Sequence, residues 1–207
     1  MPAILKDKKL WIGLLLAHLW IFASYLSIPH FWGIYTAASG CLLLFTLSAR
    51  EIYIKKLSVK DLLLGAISGL LLYGLFYAGL VFFNFLKVNL SYAADQLYFY
   101  YKPKELWQYF VLVFLLIPAE ELFWRGFIQK RLSHYFSFYS CILLSALLYS
   151  LPMLYSRNAA LVAAGLVSGL FWGFHFQASR SLPAVILSHL VFDIFLLIIF
   201  PLESGQY

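Results

Sequence analysis

The sequence predicts an all-α, polytopic membrane helix bundle of about seven transmembrane helices with a cytoplasmic N-terminus. Three observations carry this. The 207 residues are 63% hydrophobic, 20% aromatic and only 12% charged, whereas an average globular domain is about half apolar and about a quarter charged. The apolar residues gather in runs of roughly the 20 residues a bilayer core requires. The formal charge of +6 is not a basic patch, because the lysines and arginines stand between those runs. A soluble domain, a disordered chain and a nucleic-acid-binding protein are excluded on these grounds.

Lys6-Asp7-Lys8-Lys9 precedes an apolar run from Leu10 to Ile28. That run is long for a cleavable signal peptide and no small-x-small site follows it, so it reads as an uncleaved first span. The remaining spans are expected at 31–49, 61–86, 105–130, 135–152, 158–176 and 181–201. A half-charged linker, Arg50 to Lys60, separates the second from the third. Lys87 to Lys104 is the longest connection, and its LYFYYKPK stretch suits an aromatic layer at the lipid headgroups. No internal repeat divides the chain. It reads as one integral membrane domain, in which 1–104 supplies three spans, the linker and the interfacial loop, and 105–207 supplies a four-span core. Cys41 and Cys141 both fall inside apolar runs, which argues against a disulfide or a cysteine-held metal.

Orientation follows from the cations in alternate loops. With the N-terminus inside, Lys6, Lys8, Lys9, Arg50, Lys55, Lys56, Lys60, Lys130, Arg131 and Arg180 lie inside, against Lys87, Lys102, Lys104 and Arg157 outside. Such a bias points to a multi-pass protein of the cell (inner) membrane with its C-terminus out. Gly65 and Gly69 on the third span, and Gly165, Gly169 and Gly173 on the sixth, have the spacing that lets helix backbones approach closely in lipid. Packing explains them, and no chemistry is assigned to them.

Most acidic residues sit in loops or tails, but Glu120 and Glu121 lie inside the fourth span and Asp193 inside the seventh, together with Arg125 and His189. A charge at the bilayer centre costs at least about 2.5–3.5 kcal/mol, so these five residues call for a joint explanation. Glu121 and Arg125 are four apart and share a helix face. Glu120 is rotated by about 100° from Glu121, which leaves it free to point elsewhere. His189 and Asp193 are also four apart, so the carboxylate can orient the imidazole. Counting from the span ends at 1.5 Å per residue puts Glu120 and His189 both roughly 12–15 Å below the inner surface. The two clusters are thus expected to face each other across one polar cavity. Either pair alone would serve as a staple between helices. An extra unpaired glutamate at the same depth asks for more than a staple. Pro118 is expected to kink the fourth span, and Pro183 fits the first turn of the seventh. Trp124, Phe171 and Trp172 read as packing residues, His18 as a bonded structural histidine, and His175 as snorkelling at a span end.

Glu120-Glu121-Leu122-Phe123-Trp124-Arg125-Gly126-Phe127 resembles the E-E-x-x-x-R-[GA]-[FY] signature of the CAAX-protease-and-bacteriocin-processing family, also called Abi, whose members are glutamate-type intramembrane endopeptidases. Ser188-His189-Leu190-Val191-Phe192-Asp193 resembles the family's last motif, a histidine followed four residues on by Asn or Asp. The likeness covers about residues 105–200. One motif departs from it. The family's usual F-x-x-x-H, aligned on Ala146 to Pro152, puts Ser150 where the histidine belongs, with Tyr149 beside it. Phe171 to His175 fits the pattern literally, but on the sixth span.

The resemblance implies peptide-bond hydrolysis in a membrane-anchored protein or peptide, with Glu120 as the general base on water. An unpaired carboxylate in a low-dielectric site is well suited to that task. Arg125 would hold Glu121 ionised, and His189 would position the water or shuttle its proton. Asp193 would orient His189, because it can donate to an oxyanion only when protonated. Ser150 or Tyr149 is then the supporting donor. No cofactor and no metal is expected, since neither H-E-x-x-H nor Cys/His spacing is present. Partners are the substrate and the lipid bilayer, with no nucleic acid. Two other readings use the same residues: a proton-coupled transporter, and a catalytically inactive scaffold or immunity protein. The replacement at Ser150 speaks for the second of these.

Overall fold

The computed structural model describes residues 3–49, 56–88 and 90–203. Among these no strand occurs and the chain is almost wholly helical. Helix α1 is Lys8–Leu26, α2 is Phe31–Ser48 and α3 is Val59–Phe85. Asp7 caps α1 by accepting from the Leu10 N–H at 3.1 Å, and a Pro29-containing 3₁₀ turn, Ile28–His30, separates α1 from α2. Helix α3 opens with a capping box in which Ser58 and Asp61 satisfy each other's backbone N–H groups. The expected linker lies partly outside the described residues, including Arg50 and Lys55 of the orientation argument.

The connection expected from Lys87 to Lys104 folds instead as α4, Leu90–Tyr101. Alternation of aromatic and polar residues there is compatible with an interfacial helix as well as with a loop. Helix α5 is the unbroken helical run 106–132. It is α-helical over Leu106–Val111, Ile117–Glu121 and Lys130–Leu132, and π-helical over Leu112–Leu116 and Leu122–Gln129. Pro118 explains the first widened turn: proline has no N–H and collides with the carbonyl four residues back. The Ile117 N–H accordingly reaches Leu112 O, five residues back. Helix α6, Phe138–Ser150, continues as a 3₁₀ turn through Ser156 at Pro152. Helix α7 is Ala159–Ser179 and α8 is Leu182–Ile194, the latter extended by a π turn, Phe195–Ile199. Asn158 and Ser181 cap these two by accepting from Leu161 and Ala184 N–H.

Among the described residues six helices are long and apolar enough to cross a membrane: α1, α2 with its preceding turn, α3, α6 with its following turn, α7, and α8 with its extension. The molecule is an all-α polytopic bundle and a multi-pass membrane protein. Helix α5 differs from the six, since its run is segmented by π turns and carries Glu120, Glu121 and Arg125.

Two apolar clusters organise the bundle around α5. One joins α1, α2 and α6 through Leu14, Ile21, Leu42, Cys141 and Tyr149 to Phe123, Trp124 and Phe127 of α5. The other joins α3, α7 and α8 through Leu72, Trp172, Val185 and Phe192 to Leu122. Residues 121 to 129 are buried without exception, as befits a helix enclosed on all sides. Helices α3 and α8 lie against each other with no room at the contact: a Cβ on Gly65 would stand 2.8 Å from Ala184 O, and one on Gly69 would stand 2.5 Å from Ser188 O. Asp61 Oδ1 accepts from the Ser181 hydroxyl at 2.6 Å, tying the start of α3 to the start of α8.

Candidate functional site

The π-helical stretch of α5 aims its charged residues at the seam between the two clusters. Glu121 is wholly buried, and its Oε1 accepts from Arg125 Nη1 at 3.0 Å on the same helix. The same oxygen lies 2.7 Å from His189 Nδ1 on α8. The acidic and histidine clusters thus meet through one shared oxygen. Arg125 is enclosed between aromatic faces, with Cζ 4.5 Å from the Tyr149 ring centroid and 5.4 Å from that of Trp172. Such a guanidinium gains from ring quadrupoles what it lacks in water.

His189 is held from a second side by Trp172 of α7, whose ring stacks on it with centroids 3.9 Å apart. The indole N–H donates to Ser188 Oγ at 3.2 Å, which fixes the stacking plane. Asp193 Oδ2 stands 3.7 Å from His189 Nε2, beyond hydrogen-bond range. The imidazole is therefore oriented chiefly by Glu121, and Asp193 contributes charge at a distance. That assignment differs from the one expected from the i,i+4 spacing alone.

Glu120 points away from this group, as the 100° rotation requires. Tyr35 of α2 donates to its Oε1 at 2.5 Å, and Tyr149 of α6 donates to its Oε2 at 3.2 Å. On the α2 side Glu120 borders a cavity of about 20 Å³ whose lining includes Tyr35, Ser39, Leu42 and Trp124. That volume holds about one water molecule. Ser150 does not join the site: its hydroxyl bonds back to Leu147 O at 3.1 Å within its own helix. His175 is not extended toward a span end but lies with Nδ1 3.2 Å from Ser68 Oγ of α3. His18 bonds to the Tyr155 hydroxyl at 3.0 Å. Among the described residues no group of three His, Cys, Asp or Glu side chains is placed to hold a metal ion.

The structure thus brings together Glu120, Glu121, Arg125, His189 and Tyr149, sets Asp193 at the edge and leaves Ser150 out. Sequence reasoning missed Tyr35 and the stacking role of Trp172. Trp172 had a signal, for it follows Gly169 by three residues on the close-packed face of α7. Tyr35 had none, being one of many aromatic residues in the first two spans.

The site can do two things chemically. It immobilises one carboxylate in a buried cluster with a cation and an imidazole, and it presents a second carboxylate, steadied by two phenols, to a space the size of a water. Residues 102–195 match a family model described as type II CAAX prenyl endopeptidase Rce1-like. The matched stretch holds Glu120, Glu121, Arg125, Tyr149, Ser150, Trp172, His189 and Asp193, whereas Tyr35, Ser39 and Leu42 lie outside it. Comparison with the curated proteins and with the solved structures gave no match.

Proposed function

We propose that the chain is a glutamate-type intramembrane endopeptidase that trims a membrane-anchored protein or peptide at the cell (inner) membrane, a reading supported by the match of residues 102–195 to the type II CAAX prenyl endopeptidase Rce1-like model. The observation that carries the glutamate mechanism is the one-water cavity bordered by Glu120. Glu120 takes a proton from the water there as its oxygen attacks the scissile carbonyl, and it later passes that proton to the departing amine. Glu121 faces another way: its Oε1 is shared by Arg125 and His189, and its Oε2 is buried without a hydrogen-bond partner. Its part is to lock the helix face from which Glu120 projects. His189 is a positioning residue, clamped between Glu121 and Trp172, and Asp193 adds a negative charge behind it. Tyr149 steadies the second oxygen of Glu120.

One observation favours the catalytically inactive scaffold instead. Ser150 stands where the family's histidine is expected and spends its hydroxyl on its own helix. Mass spectrometry of intact membrane-protein termini, in cells carrying wild-type protein or Glu120→Gln at matched abundance, separates the readings. A tail cut only by the wild type is expected and supplies the substrate. Identical termini in both, with the native host's membrane proteins present, would exclude the protease.

A further inference from the structure

Polar groups continue beyond Glu121 along the middle of the bundle. Glu121, Arg125 and Gln129 stand at four-residue intervals on α5 and are all buried, so they form a stripe toward the last turn of that helix. Gln129 carries the stripe onto α7, because its Nε2 donates to Gly173 O at 2.7 Å. Gln177 follows Gly173 by four residues, one turn nearer to the exposed Arg180 that ends α7. It is itself only 6% exposed. Among the described residues three buried side-chain oxygens have no hydrogen-bond donor, and all three lie on this track: Glu121 Oε2, Gln129 Oε1 and Gln177 Oε1. Native interiors rarely leave such acceptors unserved.

Space adjoins the middle one. A Cβ on Gly173 would meet Gln129 Oε1 and Ile142 Cγ2 at 3.5 Å and Ser145 Oγ at 3.6 Å, whereas one on Gly169 would already meet α6 at 3.1 Å. Ser145 of α6 spends its proton on Ile142 O at 3.0 Å, so its oxygen borders the space at Gly173 as an acceptor. Two acceptors therefore share this space with no protein donor between them. Water has two hydrogens to give.

We propose that the α5–α7 seam is a binding site for a line of water molecules, the route by which water from the membrane surface at Arg180 reaches the buried Glu121–His189 pair. One water donates to both Gln129 Oε1 and Ser145 Oγ, within the about two to four polar partners that buried water takes. Gln177 Oε1 and Glu121 Oε2 accept from further waters on either side of it. The cavity beside Glu120 lies on the α2 side of α5, so the two adjacent glutamates are hydrated from different faces of one helix. This inference goes beyond the endopeptidase reading and stands or falls without it, because hydration rather than cleavage is measured.

The test uses full-length protein in lipid nanodiscs with ¹⁵N-labelled arginine and glutamine. Magnetisation transfer from water to the side-chain N–H groups of Arg125, Gln129 and Gln177 is expected in wild type. In Gly173→Ala, whose methyl fits the space and takes the place of the water, transfer to Gln129 should fall about tenfold. Thermal unfolding gives opposite signs for a wet and a dry seam. In a wet seam Gly173→Ala leaves Gln129 Oε1 without a donor and lowers Tm by about 2–4 °C. Gly173→Ser, whose hydroxyl can donate in place of the water, then recovers most of that loss. In a dry seam Gly173→Ala raises Tm, since alanine is the better helix former, and Gly173→Ser melts below it. That order of melting temperatures would overturn the route, and so would a wild-type protein without transfer from water to Gln129 and Gln177. The wild-type measurement needs no variant, so a substitution that fails to fold leaves the test intact.

Discussion

Helices α3 and α5 are both runs long enough to cross a membrane, and they bury opposite things. Helix α3 is apolar nearly throughout, yet only Asp61, Gly65, Gly69 and Leu72 are buried. Helix α5 carries three charged residues in its middle, and there every residue from Glu121 to Gln129 is buried. In water the more apolar helix would take the interior. In a bilayer the surroundings are as apolar as leucine, so apolar surface has no preference for the inside, and polar groups drive burial because lipid cannot satisfy them. The α3–α8 contact is made by glycines and a capping carboxylate, and the α5 contacts are made by ions and aromatic faces. Five substitutions should separate the two modes.

The largest effect is expected at α5. Arg125→Met leaves the buried Glu121 without its cation, and breaking a buried pair in this way costs about 3–5 kcal/mol. Thermal unfolding in detergent should register it as the greatest loss of the series. A loss below that of the glycine variant next described would mean that α5 is held by its aromatic packing and not by its charges.

On α3 the comparison can be made within one helix. Gly69→Ala places a Cβ against Ser188 O and Val191, and overpacking of this kind costs about 1–3 kcal/mol. It also displaces the α8 backbone next to His189, so activity should fall with stability. Gly74→Ala has nothing within 4 Å and should be neutral or stabilising by about 0.5–1 kcal/mol, since alanine is the better helix former. Equal melting temperatures for the two variants would refute the close-contact account of α3.

Asp61→Ala removes both the α3 capping box and the acceptor for Ser181. Loss of a cap and a buried hydrogen bond is expected to cost about 1–2 kcal/mol. Unfolding should begin with α3, read as earlier proteolysis near its start than in wild type.

The smallest effect is expected outside the spans. Asp7 accepts from Arg131 Nη1 at 2.7 Å on both oxygens and from the Tyr135 hydroxyl at 3.2 Å, joining the start of α1 to the end of α5. Burial pushes its carboxyl upward, but the hydrogen bonds from Arg131, Leu10 and Tyr135 and the arginine's charge outweigh it, so the group sits below its ordinary 3.8. A carboxyl lowered by folding stabilises at pH above its unfolded value, and that contribution is lost as pH falls through the folded one. Asp7→Asn should therefore cost about 1 kcal/mol at neutral pH and nothing at pH low enough to protonate the wild-type carboxyl. A difference in melting temperature that persists in acid would show that the residue acts through shape and not charge.

How much of this was legible in advance depended on the range of each interaction. Glu121–Arg125 could be read from four-residue spacing because both partners ride one helix and the geometry is local. The opposition of Glu121 and His189 could be read only as a shared depth, since two helices can present the same level and still turn apart. Asp193 and Ser150 show the same dependence on range. Spacing puts Asp193 near the imidazole, 3.7 Å from Nε2, and the packing of α8 against α5 adds Glu121 at 2.7 Å from Nδ1. Alignment offers Ser150 or Tyr149 as a donor; Tyr149 meets Glu120, whereas Ser150, inside its helix, bonds to its own backbone carbonyl.

Composition, the length of the apolar runs and the charges within two of them determined, without coordinates, that this is an all-helical membrane bundle with a polar centre. Those are properties of single helices and of their cost in lipid. Which helices enclose that centre was decided by tertiary structure alone. Tyr35 reaches Glu120 across 85 positions of sequence, and no periodicity links them. Trp172 stacks on His189 because α7 and α8 pack there, and α5 takes the middle because its ions must be covered from every side. Contacts of that kind depend on relative rotation and translation of whole helices, which the pattern of any one helix does not contain.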